Sequence, residues 1–163
     1  MLKMDNALEI PAGFKKVLIP LDGSQASMKA AGYGIHLAQV EQAELMLIYV
    51  IEEIKQGGAI GLQAKYGNVR LVEGFRRSRE KVASQWMNTI KSSAEKKGVR
   101  TKSEILAEDG ASTVETIINY AKKNNIDLIV MGSRGLSKFR QLIFGSVANA
   151  VMIYSHCPVM VVR

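Results

Sequence analysis

Residues 131 to 147 read MGSRGLSKFRQLIFGSV, in which Gly132, Gly135, Gly145 and Ser146 fall as glycine, two residues, glycine, nine residues, glycine, serine. That spacing suits a phosphate. A phosphate needs backbone N–H donors brought close with no Cβ in the way, and glycine offers this without steric cost. The first two glycines follow the apolar run IDLIVM, 126 to 131, and so stand at the mouth of a buried strand. Gly145 and Ser146 open the next helical stretch, where unpaired N–H groups and the positive end of the helix dipole favour an anion. The segment thus provides two halves of one cradle, with Arg134, Lys138 and Arg140 adding charge at its rim. Glycines that only end a strand and open a helix are the plainer alternative; three of them with a serine favour the cradle. On this reading a bulky side chain at Gly132 or Gly145 fills the phosphate space and abolishes binding while sparing the fold. Neither GxxxxGK followed by Ser or Thr nor GxGxxG occurs in the chain.

Other chemistry is sparse. Asp22 follows the apolar run KVLIPL, 16 to 21, so its carboxylate stands at a strand end where it can accept hydrogen bonds from a ribose or a base; capping the next helix is its plainer role. The candidate bases and nucleophiles are His36, His156 and Cys157, and none has motif spacing with a carboxylate, so no catalytic residue is assigned. No cluster of His, Cys, Asp and Glu has metal-ligand spacing, and any metal is expected to arrive with the ligand. A cradle of backbone donors stabilises a bound ground state at least as well as a transition state, which predicts slow or absent hydrolysis.

The elements that must position these residues alternate. Strands are predicted at 16–21, 44–53, 99–106, 126–131 and 158–162. A first helix starts at Ser24 or Ser27 and carries Met28, Ala31, Ile35 and Ala38 on one face, with Gly32 and Gly34 permitting close packing. The glycine-containing stretch 55–74 reads as a mobile loop. A long helix runs from Phe75 to Lys97, with Phe75, Val82, Trp86, Met87, Ile90 and Ala94 as its apolar stripe, Trp86 and Met87 as core, and Gly98 as a left-handed cap. Ser112 and Glu115 have capping-box spacing ahead of a helix that ends near Asn124. A last helix covers about 146 to 154. The runs at 44–53 and 126–131 are apolar without alternation, as in strands covered on both faces, whereas VRTKSEIL alternates like an edge. Five strands joined through helices predict one doubly wound α/β parallel sheet with helices on both faces, and a ligand crevice beyond the strands' carboxyl ends where the winding reverses.

Composition agrees. The chain has 163 residues, enough for one domain with a real core, with 47% hydrophobic and 23% charged residues. No apolar run approaches the roughly 20 residues of a membrane span, and Asp5 and Glu9 interrupt the start, which lacks a signal-peptide core. A single cysteine, Cys157, fits a reducing compartment, and a cytoplasmic location is expected. The net charge of +7 favours anionic partners, but the one basic cluster, Arg76, Arg77, Arg79 and Lys81, reads as a solvated helix face.

KKVLIPLDGS, LMLIYVIEE and DLIVMGSRGLSKFRQLIFGSVANAVMIYSHCPVMVV together resemble the universal stress protein family over nearly the whole chain, most specifically its nucleotide-binding branch in the last forty or so residues. The resemblance implies a domain over 14–163 after an extension at 1–13, an adenine nucleotide alpha hydrolase-like sheet of strand order 3-2-1-4-5, and bound ATP, or AMP or ADP, with Mg2+ or Mn2+. It implies phosphate contacts from the backbone of Gly132, Gly135, Gly145, Ser146 and Val147, with Asp22 beside the nucleoside and the Val50 backbone at the adenine. It also implies a homodimer through the last strand, 158–162, and a stress-response switch. Two other classes stay in view. An interaction protein would meet nucleic acid or an acidic partner through the basic helix. An adenylating enzyme would carry an SGGxDS-type loop where this chain has PLDGSQAS.

Overall fold

Apolar side chains fill KVLIPL, ELMLIYVI and LIVMG, and a strand that sends successive side chains to opposite faces can bury such a run only if both faces are covered. The computed structural model describes residues 13–52, 69–108, 110–135 and 145–163. In chain order these form β1 (Lys16–Leu21), α1 (Gln25–Glu41), β2 (Glu44–Ile51), α2 (Val69–Glu95), β3 (Thr101–Ala107), α3 (Thr113–Lys123), β4 (Leu128–Gly132), α4 (Ser146–Tyr154) and β5 (Val159–Val162). The five strands make one sheet in the order β3-β2-β1-β4-β5, and every pairing is parallel. Lys16 lies opposite Glu44, Val17 opposite Leu128, and Ile129 opposite Val159.

The alternation in β1 divides the core. Val17 and Ile19 join Leu45 and Leu47 under Ala30 and Ile35 of α1 and Ala83, Met87 and Ile90 of α2. Leu18, on the other face, joins Ile48, Ile129 and Met131 under Ile117 and Ala121 of α3 and Val151 of α4. Gly34 matters to the first layer, because a Cβ there would overlap the side chain of Ile19; Gly32 faces open space.

Local signals set the helix ends. Ser24 caps α1, its hydroxyl accepting from the Ser27 N–H at 3.1 Å. Gly98 follows α2 at φ +76, a left-handed conformation that glycine adopts without strain. The box at α3 is complete: the Ser112 N–H donates to the Glu115 carboxylate at 2.8 Å, and the Glu115 N–H donates to the Ser112 hydroxyl at 3.3 Å. These bonds hold the Glu115 carboxyl below its ordinary value of 4.5, and the Lys102 ammonium, 2.9 Å away, does the same for Glu44. A carboxyl whose folded value is depressed contributes stability above its unfolded value and loses it as the pH falls through the folded one. Acid is therefore expected to destabilise the fold below that range, and Glu115→Gln to flatten the loss; urea unfolding midpoints across pH 3 to 6 check it, and parallel curves for the two chains would oppose it.

Three expectations change. Residues 69–74, read as part of a loop, are the first turns of α2, and 55–68 lie outside the described residues. The stripe on α2 is also shorter than its periodicity implied. Met87, Ile90 and Ala94 are buried, but Phe75 and Val82 are 40% and 53% exposed, because the helix first enters the core at Ala83. The β4 strand runs from Leu128 to Gly132, two residues later at its start than predicted.

The two edges of the sheet differ. β3 carries Lys102, paired to Glu44, and Glu104, whose carboxylate accepts from the Tyr120 hydroxyl at 2.7 Å. β5 is VMVV, with three of its four residues only partly buried.

Candidate functional site

From β1 the chain winds outward to β2 and β3, then returns to β4 and β5 on the other side of β1. Crossovers on opposite faces part at such a reversal and leave a crevice at the strands' carboxyl ends. A cleft of about 810 Å³ opens there, and Asp22, Val50, Gly132, Gly135, Gly145, Ser146 and Val147 all line it. A volume of that size is typical of small-molecule sites.

The three glycines do different things. A Cβ on Gly132 would lie 2.8 Å from the carbonyl carbon of Ala26 and from the Ser27 nitrogen. Its missing side chain therefore lets the end of β4 touch the first turn of α1, and the space a substituent would invade is helix backbone. This corrects the expectation that bulk at Gly132 spares the fold. At Gly135 a Cβ would meet the Asp22 Oδ2 at 2.6 Å, so a carboxylate and a bare main chain share one space. Among the described residues nothing crowds Gly145, its nearest would-be neighbours being the Arg134 Cα and the Ser133 carbonyl oxygen at 3.5 Å.

Gly145 is the N-cap of α4, with φ −67 and ψ 155, and among the described residues no side chain caps the helix. The first-turn N–H groups of Ser146, Val147 and Ala148 thus lack the side-chain acceptor that starts most helices. The turn before it is fixed by backbone bonds: the Gly145 N–H donates to the Ser133 carbonyl and the Ser133 N–H to the Val162 carbonyl, both at 2.7 Å.

Asp22 turns the chain from β1 into α1. Its Oδ1 accepts from the Ser24 N–H at 2.9 Å, and Gly23, at φ +78, makes the bend. Asp22 lies two residues ahead of the cap, which is Ser24. The Ser24 hydroxyl also donates to the Arg134 carbonyl at 3.3 Å, tying the start of α1 to the glycine turn after β4. Val50 is 8% exposed at the end of β2, in register with Leu106.

Sequence reasoning passed over part of the wall. Trp86, read as core, does pack against the first layer, but it also lines the cleft, its ring edge-on to Tyr49 with centroids 5.5 Å apart. Arg79 and Thr113 line it too, and the Thr113 hydroxyl donates to the buried Glu108 carboxylate. Trp86 left a trace in the sequence as the large aromatic where a helical stripe meets the strand ends, and Arg79 only as one of a basic cluster read as solvated. Of the basic cluster, Arg76 pairs with Glu80 at 3.0 Å and Arg77 with Glu73 at 3.9 Å along the helix. Arg134 lines the cleft; Lys138 and Arg140 lie outside the described residues.

His36, His156 and Cys157 do not line the cleft. A His156 ring nitrogen meets the Ile126 carbonyl at 3.1 Å, and the Cys157 N–H donates to the Ser155 hydroxyl at 3.2 Å, so both finish local structure ahead of β5. Among the described residues no group of three His, Cys, Asp or Glu is placed to hold a metal ion, and no helix is long and apolar enough to cross a membrane.

A five-stranded parallel sheet in this order, with its cleft at the reversal, defines a doubly wound domain of the adenine nucleotide alpha hydrolase-like kind. A solved universal stress protein from Lactobacillus plantarum superposes on it with a TM-score of 0.81 at 24% identity, covering 94% of this chain and 100% of that one. The family model described as the universal stress protein family matches residues 13–163, and the chain belongs to that family. It is 34% identical to universal stress protein YxiE of Bacillus subtilis, over 92% of this chain and 99% of that protein. It is 35% identical to a universal stress protein of Methanocaldococcus jannaschii, over 92% of this chain and 82% of the relative.

Proposed function

We propose that the cleft binds an adenine nucleotide, ATP or its shorter forms AMP and ADP, and that the protein is a cytoplasmic nucleotide-dependent stress-response switch with slow or no hydrolysis. The observation that carries this reading is the bare start of α4. Its first-turn residues line the cleft with no side chain among the described residues capping their N–H groups, beside a glycine turn fixed by main-chain bonds. The N–H groups of Gly132, Gly135, Gly145, Ser146 and Val147 are the candidate contacts for the phosphates, although the Gly145 N–H is already committed to Ser133. Asp22 would accept from the ribose or base through the oxygen its own turn leaves over, and the Val50 backbone would meet the adenine. With no metal-ligand cluster among the described residues, Mg2+ or Mn2+ would enter on the phosphates and neutralise their charge. Two solved universal stress proteins of this fold are complexes with cAMP and with dAMP.

Trp86 lines the cleft and is the only tryptophan in the chain. Titration with magnesium-ATP should therefore change its emission along a saturating curve, matched by heat in calorimetry. Neither signal, together with no adenine nucleotide released from freshly purified protein, would refute the reading. The alternative of an acidic partner on the basic helix gains little, since Arg76 and Arg77 already have carboxylates in reach.

The homodimer belongs to the same proposal. The Pro158 carbonyl accepts from Ile129 of β4 and the Val162 carbonyl from Ser133 just beyond it, so the alternation of the strand turns the Val161 N–H toward the open edge. A second copy can pair there. Val161→Pro removes that donor without breaking a bond to β4 and should shift the chain to monomer in sedimentation equilibrium; an unchanged mass would count against the β5 interface.

A further inference from the structure

Upstream of Ala83, α2 carries a stripe that the core does not use. Ser78, Arg79 and Val82 line the cleft and recur at helical spacing with Trp86, while Phe75, one turn before Arg79, is 40% exposed. The Arg79 guanidinium lies over the Phe75 ring, 5.3 Å from its centre. Arg76 and Arg77 have carboxylate partners along the helix, whereas Arg79 makes no ion pair among the described residues. An arginine laid on a ring keeps its plane while leaving the other face open. Trp86 lies two turns further along the same cleft wall, edge-on to Tyr49.

The two ends of the cleft are chemically unlike. α2 packs over β2 and β3, whereas the glycine turn and the start of α4 belong to β4 and β5. The candidate phosphate donors thus belong to the turn after β4 and to α4, whereas Arg79 and Trp86 belong to α2 on the other side of the reversal. We infer that Arg79 and Trp86 form the stacking wall for the base of the bound nucleotide, with Arg79, held on Phe75, setting affinity for the nucleoside moiety. Planar bases stack on aromatic rings and guanidinium planes alike. This inference rests on the nucleotide reading above, and deepens it by assigning the base end of the cleft to α2.

Calorimetric titration of adenosine, AMP and magnesium-ATP into the wild-type chain and its Arg79→Ala, Arg79→Lys and Arg76→Ala variants tests it. Loss of one stacking partner is expected to weaken all three ligands by a similar factor, about tenfold, in Arg79→Ala. Lysine should not restore binding, because an ammonium has charge but no plane. Arg76→Ala should leave all three affinities unchanged. Unaltered binding in Arg79→Ala, recovery in Arg79→Lys, or a loss that grows from adenosine to ATP would each overturn the assignment. A wild-type chain that binds none of the three removes the nucleotide reading itself; one that binds all three equally well with and without Arg79 removes only the stacking wall.

Discussion

Valine at position 132 should destabilise the domain by at least the roughly 1–3 kcal/mol that overpacking ordinarily costs. The collision is with main chain: the first added carbon meets the carbonyl carbon of Ala26 and the Ser27 nitrogen at 2.8 Å, and neither can rotate away as a side-chain tip can. Relief requires α1 to lift from β4, which strains the Ser24–Ser27 cap and the Ser24–Arg134 bond together. Alanine should cost less than valine but in the same direction, since the Cβ is common to both. Urea unfolding midpoints measure the effect. A wild-type midpoint in the valine variant, accompanied by lost nucleotide binding, would restore the simpler idea that this glycine only keeps phosphate space clear.

Aspartate at position 145 should do the reverse. Gly145 already has N-cap dihedrals in the extended region, and a Cβ there meets nothing closer than 3.5 Å among the described residues. A carboxylate in that place can accept from the first-turn N–H groups of α4 and complement the helix dipole, raising stability by a few tenths to about 1 kcal/mol. It would then occupy the donors proposed for the phosphates and repel them as well. Hydrogen bonds to charged groups are worth about 1.5–3 kcal/mol each, so losing two predicts a drop in ATP affinity of roughly 100-fold or more, with adenosine little affected. Thermal unfolding and calorimetry on one sample read both quantities. Undiminished ATP binding in a stabilised Gly145→Asp chain would place the phosphates somewhere other than the start of α4.

The contrast between these glycines shows what the sequence could convey. Spacing located the turn, because glycine, serine and an apolar run carry local meaning. It could not say which glycine answers to a ligand and which to a neighbouring helix, since Ala26 and Gly132 are far apart in the chain and meet only in the fold. The parallel sheet and both helical layers were legible, because unbroken apolar runs between amphipathic helices leave few arrangements, whereas the strand order came only through family resemblance. The start of α2 was not legible: residues 70–82 have an apolar pattern with no core beneath it, so exposed turns of helix look like loop. Arg79 shared that fate, hidden in a run of charges whose other arginines face solvent and pair along the helix.

The unequal borders of the sheet bear on how large an assembly can grow. At one border an ammonium is paired with one carboxylate and a phenol with another, which discourages any strand from adding there; the strand at the other border is a short run of valines and a methionine. Chains joining through the valine border would present only the guarded ones to newcomers, so self-association would stop at two and end in a finite particle, never a fibre.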